Sequence, residues 1–199
     1  SQNGERGLEL VSPPMPLAKT LEYLDKVFSW AQSDGCRTNN STGFHMGISI
    51  PDQTLDNVDH LKFILFLGDE HVLKQFGRES NEFAVSMFKE MQYRARSYSE
   101  DILAAFKQGL NSRAANKMKD RMTSSFDKYV SVNIKYSYLE VRSAGGDYLG
   151  DLDKIKLTLL RYVRAMALAA DPQAEKEEYG KKLYKFLSAN IKGQDDMIK

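Results

Sequence analysis

Apolar positions recur along this chain with two periods, and each change of period marks a new element. Leu17, Leu21, Leu24, Phe28 and Ala31 return at helical spacing, which predicts a helix with one apolar face. Pro16 suits a first helical turn, where its missing N–H costs nothing, and Asp34-Gly35 supplies the stop. Ahead of that helix, Gly7-Leu8-Glu9-Leu10-Val11 reads as a short strand-like run ended by Ser12-Pro13-Pro14. Residues 1–6 are polar and read as a frayed start. After the polar loop 38–42, residues 43–50 alternate up to Pro51. Phe44, Met46, Ile48 and Ile50 then share one strand face, and His45, Gly47 and Ser49 share the other. The apolar face is expected to pack on helices and to leave His45 on the open side.

Residues 57–121 read as mostly helical, with breaks near Gly68, Gly77 and Asn111. Two strands follow, 129–135 and 138–142, joined tightly at Tyr136-Ser137 in a hairpin that lacks an Asn-Gly signal. Residues 144–147, Ala-Gly-Gly-Asp, form a flexible turn, and two helices close the chain over about 151–170 and 173–190. Pro172 divides them and is placed to open the second. This order lacks the regular strand–helix alternation of a doubly wound sheet. It predicts an antiparallel α+β fold in a single domain over 1–199, with a core over 7–170, a C-terminal helix over 171–199 and one open sheet face.

Composition narrows the picture without naming a function. The 199 residues are 42% hydrophobic and 28% charged, which is ordinary globular usage. A formal net charge of +1 gives no global pull toward nucleic acid or membrane. The single Cys36 leaves no internal disulfide and fits a reducing, cytoplasmic compartment. The longest apolar run, Phe63 to Leu67, is too short to span a bilayer.

Candidate chemistry lies on the polar sides of the strand-like runs. Glu9 and His45 are each, taken alone, ordinarily a solvated or hydrogen-bonded surface group. Glu140 and Arg142 sit two residues apart on one strand, which by itself makes a weak same-face ion pair. The sharper reading gives Glu140 to a cation and Arg142 to a phosphate, which a guanidinium grips bidentately. A basic stretch holds Lys107, Arg113, Lys117, Lys119, Arg121 and Lys128, offset there by Asp120 and Asp127. It reads as a solvated helix face, and with Phe126 the one aromatic residue interleaved it gives little reason to expect nucleic acid.

In sequence, Glu9-Leu10-Val11-Ser12-Pro13, Asn40-Ser41-Thr42-Gly43-Phe44-His45-Met46 and Val132-Asn133 followed by Leu139-Glu140-Val141-Arg142 resemble the motif series of the amidoligase family. That family is similar to glutamine synthetase in fold and mechanism, and the resemblance runs from about Gly7 to about Ala170. It implies a glutamine-synthetase-like sheet with helices on one face. It also implies ATP-dependent amide-bond formation through an acyl phosphate, with Mg²⁺ or Mn²⁺ as cation. Glu9, His45 and Glu140 would hold the metal, Arg142 would meet the transferred phosphate, Asn133 would orient substrate, and Arg78 would contact the nucleotide. Its partners would be small-molecule or peptide carboxylates and amines, with no membrane and no nucleic acid. Family members are often carried by phages. Gly47 stands where the motif has its second His, and the family's first Glu-x-Glu strand has no counterpart before Glu9. An upstream segment or a second subunit is therefore expected to complete the sheet. The rival readings are a non-catalytic binding or assembly protein that keeps the fold, and an unrelated helical interaction protein.

Overall fold

The hairpin and the strand before it meet in one small antiparallel sheet. The structure, a computed structural model, describes residues 7–96, 98–123 and 129–195. Its strands are β1 (Met46–Ile48), β2 (Val132–Ile134) and β3 (Leu139–Val141), in the order β1-β3-β2. The helices are α1 (Leu17–Ser33), α2 (His60–Leu67), α3 (Asp69–Gln75), α4 (Met87–Arg96), α5 (Ser99–Lys107), α6 (Arg113–Thr123), α7 (Leu152–Ala170) and α8 (Lys176–Asp195). The fold is thus α+β, as the order of elements predicts. The chain divides into two compact units, residues 1–36 and 37–199.

In the first unit, α1 buries Leu24, Phe28 and Ala31 from the predicted apolar stripe. It ends in a Schellman turn, where Cys36 N donates to Ala31 O at 2.8 Å and Gly35 adopts φ 71°. Residues 7–14 correct the sequence expectation: they form no strand and lie exposed. Alternation alone does not make a strand, because its backbone groups need a paired neighbour, and none is offered among the described residues.

In the second unit, α2 is the centre of the core, packing along α7 and also against α6 and α8. Leu61, Phe63, Ile64, Leu65 and Leu67 are all buried, each contributing about 1.5–3 kcal/mol of transfer free energy as an upper bound. Asp59 caps α2 through Oδ1, which accepts from Lys62 N at 3.0 Å, and Gly68 ends it with left-handed φ 63°. Met46 and Ile48 on β1, Val132 on β2 and Leu139 and Val141 on β3 are buried, and α7 packs against β1.

All three strands are shorter than in the sequence reading, β2 and β3 pairing over three residues each within the expected 129–135 and 138–142, and the start of the last helix also differs. The run 43–50 pairs only over Met46–Ile48, because β3 offers a three-residue ladder, and beyond it Gly43 makes an isolated bridge to Gly145. Pro172 opens a turn rather than a helix: Gln173 N donates to Asp171 Oδ1 at 2.8 Å, and α8 begins at Lys176 after Glu175 at φ 50°. Lys62 Nζ pins this turn by donating to the carbonyls of Asp171 (2.8 Å) and Ala174 (2.5 Å). Among the described residues, no helix is long and apolar enough to cross a membrane.

Candidate functional site

The alternation that buries one face of the sheet leaves a polar row across the other. Gly47 on β1, Glu140 on β3 and Asn133 on β2 stand in cross-strand register. Glu140 Oε2 accepts from Arg142 Nε at 2.8 Å and lies 3.9 Å from Lys135 Nζ. The Glu140 and Arg142 side chains are only 17% and 18% exposed, so this pair is better shielded than an ordinary surface pair. Beside it, the Tyr138 ring covers Gly47, where a Cβ would meet the ring at 3.2 Å. His45 is exposed just before β1, its ring folded back so that a Cβ on Gly43 would meet Nε2 at 3.0 Å. His45, Gly47 and Ser49 are all exposed, as the strand alternation predicts.

One edge of this row is stitched to the loops around it. Thr42 O accepts from Gly146 N (2.8 Å) and from Arg78 Nη1 (2.9 Å), and Phe44 N donates to Ala144 O (3.2 Å). Thr38 Oγ1 donates to Asp147 Oδ1 and accepts from Tyr148 N and Leu149 N at 2.9–3.1 Å. Phe44 meets Tyr148 edge to face, with centroids 5.1 Å apart. Arg78 lies beneath this junction, 5% exposed, with no hydrogen-bond partner for Nε. Burial pushes its guanidinium below its usual value, partly offset by Tyr162 nearby. The structure therefore gives Arg78 a buried position, clamped to the Thr42 carbonyl.

The remaining expected residues divide. Asn133, Glu140 and Arg142 come together with Lys135. Glu9 lies exposed in the unpaired segment of the first unit. No group of three or more His, Cys, Asp or Glu among the described residues is arranged to hold a metal ion. Lys135 was missed in the sequence, although its place two residues after Asn133 puts it on the same strand face by simple alternation.

A second polar cluster sits in the helical layer. Asp59 Oδ2 accepts from Lys119 Nζ at 2.6 Å and from Tyr179 Oη at 3.0 Å. The ammonium groups of Lys62 and Lys119 stand 5.6 and 5.7 Å from the Tyr179 ring centroid. Burial raises the Tyr179 hydroxyl, with the Asp59 carboxylate next in effect, and burial lowers Lys62. Lys119 is thus 7% exposed, correcting the reading of the basic stretch as wholly solvated, since helical periodicity turns this one lysine inward to a buried carboxylate. Asp127 and Lys128 of that stretch lie outside the described residues. A pocket of about 290 Å³ beside α3 and α4 is lined by Glu70, Lys74, Glu79 and Lys89 among others, and by none of the expected site residues.

No curated protein and no solved structure matches this chain. Residues 1–143 match the family described as "Putative amidoligase enzyme", a span that holds Glu9, His45, Arg78, Asn133, Glu140 and Arg142 and stops before α7. With that match over most of its length, the chain belongs to the amidoligase family.

Proposed function

We propose that this chain joins a carboxylate to an amine, with ATP as the activating substrate, on the polar sheet face that carries His45, Asn133, Glu140 and Arg142. The reading rests on the cross-strand row, which gathers Arg142 and Lys135 around Glu140 on an open face within the family-matched span. A carboxylate oxygen is a poor leaving group, so amide formation needs activation. An oxygen of the acid attacks the γ-phosphorus of ATP, the bond to the β,γ-bridging oxygen breaks, and ADP leaves. The amine nitrogen then attacks the acyl carbon, the bond to the phosphate oxygen breaks, and phosphate departs as the amine loses its proton.

Arg142 and Lys135 supply the positive charge that stabilises phosphoryl oxygens as charge develops on them. Glu140 holds the Arg142 fork through its 2.8 Å bond. Asn133, opposite Glu140, supplies amide groups to orient a bound substrate. His45, an exposed imidazole at the start of β1, is the group to accept the amine's proton. The Mg²⁺ or Mn²⁺ implied with ATP does not fit the described residues as they stand. Hard cations want several converging oxygens, yet no three-ligand group is present among those residues and Glu140 Oε2 already faces two cations. No step is therefore routed through a metal, and Glu9 takes no part in these steps.

A second reading, a binding protein that keeps the fold, is favoured by the same engagement of Glu140 and by Gly47 having no side chain. Melting the chain with ATP, then trapping an acyl phosphate with hydroxylamine from mixed acids, separates the two. Ligation predicts ATP stabilisation of about 2.7 kcal/mol at a hundredfold excess over Kd, and one hydroxamate for each ADP. ATP binding without hydroxamate supports the binding protein, and no ATP stabilisation refutes the ligase.

A further inference from the structure

The basic stretch holds only Phe126 as an aromatic residue in sequence, but exposed tyrosines lie on or next to α4 and α5, which pack against its helix α6. α6 packs against α4 and α5, and Arg94 Nη1 on α4 reaches the Arg121 carbonyl of α6 at 3.5 Å. On α6, Arg113, Lys117 and Arg121 lie at four-residue spacing and are all exposed. On α4, Tyr93 and Arg96 are one helical turn apart, with Tyr93 71% exposed. Tyr98, which precedes α5, is 46% exposed. Over residues 87–123 there are eight Lys and Arg against four Asp and Glu, although the whole chain carries only +1. Net positive charge is therefore concentrated in this segment, although Lys119 is turned inward to Asp59 and Lys89 lies 3.6 Å from Glu70, and Asp120, Glu90, Glu100 and Asp101 only partly offset it.

We infer that the α4–α6 surface binds single-stranded nucleic acid. Arg96, Arg113, Lys117 and Arg121 would follow the phosphate backbone, and Tyr93 and Tyr98 would offer ring faces for bases to stack on. Charge alone would suit any polyanion, including an acidic polypeptide. The exposed tyrosines on the segments that pack against α6 are what favour nucleic acid, because every base has a face to stack and a glutamate has none. The surface shares no residue with the polar sheet face, so the inference stands or falls apart from the ligase reading.

The test is fluorescence anisotropy of the full chain with a labelled single-stranded RNA of about 20 nucleotides, at about 50 and 200 mM salt. Saturable binding is expected at the lower salt. Four phosphate contacts, each releasing about 0.7 counterion, predict a loss of about 50-fold at the higher salt. Arg113→Glu/Lys117→Glu/Arg121→Glu should abolish binding, and Lys117→Glu alone should weaken it and flatten the salt dependence, which keeps the test open should the triple variant fail to fold. Tyr93→Ala/Tyr98→Ala should weaken binding about tenfold or more while leaving the salt dependence unchanged. Absence of saturable binding at low salt, or affinity unaltered by Lys117→Glu, overturns the inference. So does polyglutamate competing as well as the RNA, which would make the partner an acidic polypeptide.

Discussion

Gly145 is the position where a single methyl group does most damage. Its φ of 148° is a conformation that side chains strain to adopt. A Cβ there would lie 2.6 Å from Thr42 O and 2.7 Å from Arg78 Cζ, and would overlap Arg78 Nη1. Neither neighbour can yield cheaply, since one is backbone and the other is a side chain only 5% exposed. The strained backbone costs about 1–3 kcal/mol, and overpacking costs about 1–3 kcal/mol. Breaking the Arg78–Thr42 bond leaves a buried cation with one partner fewer, at about 1.5–3 kcal/mol. These effects overlap, because movement that relieves the clash also breaks the bond, so Gly145→Ala should cost about 3–5 kcal/mol. Urea unfolding measures it as a lower midpoint at unchanged slope. Arg78→Ala removes the clashing group, so the double variant should cost less than the sum of the two singles. A loss under about 1 kcal/mol for Gly145→Ala, or strict additivity, would refute the account of this junction.

Asp59→Ala removes the α2 cap and leaves Lys119 and Tyr179 without their shared acceptor, so denaturant melts should lose about 3–5 kcal/mol. A loss under about 1 kcal/mol would show that water takes over the role. Arg142→Ala should keep a cooperative melt, losing about 1–3 kcal/mol because the shielded Glu140 keeps only Lys135, while abolishing the ATP-induced shift; an ATP-induced shift left intact would mark Arg142 as structural. His60 is lowered by burial, against opposing pull from Asp59 and Asp120, and its Nε2 has no partner. The unfolded chain therefore takes up this proton first on acidification. His60 stability is complete above about pH 6.5 and falls below it, by up to about 1.4 kcal/mol per pH unit, until the lower folded value is reached. His60→Gln should remove that component, and acid melts that superimpose for parent and variant would sink the assignment.

How much of this could be read in advance depended on whether the deciding contact was local. The stripe of α1, the hairpin through Tyr136-Ser137 and the exposure of His45 follow from periods of 3.6 and 2, which neighbouring residues fix on their own. Leu8 and Leu10 show the limit of that logic. They alternate as a strand would, but a strand exists only where another backbone completes its hydrogen bonds, and the sequence does not say where one lies. Lys119 was opaque for a related reason. Among the five described cations of the stretch it is the one turned toward Asp59, sixty positions away in sequence. The setting of Arg78 was equally opaque, because the resemblance that suggests a nucleotide contact says nothing of the Gly43–Gly145 bridge that lies against its guanidinium.

The departure at Gly47 also finds a physical account on the sheet. The family's motif would place a second histidine there, two residues after His45. In this chain the neighbouring strand supplies Tyr138, whose ring stands over Gly47 so closely that even a Cβ would press on it at 3.2 Å. The glycine and the tyrosine are therefore one feature, since an imidazole at position 47 could be accommodated only by displacing the Tyr138 ring. That ring is 37% exposed and lies on the same strand face as Glu140 and Arg142. What the position loses as an imidazole it keeps as an aromatic wall beside the charged row. Gly47→His in a Tyr138→Ala background separates the two possibilities. If the space is shared, the double variant should melt close to Tyr138→Ala alone, while Gly47→His in the parent should cost about 1–3 kcal/mol through overpacking. Equal costs in both backgrounds would mean that Tyr138 does not occupy the histidine's place.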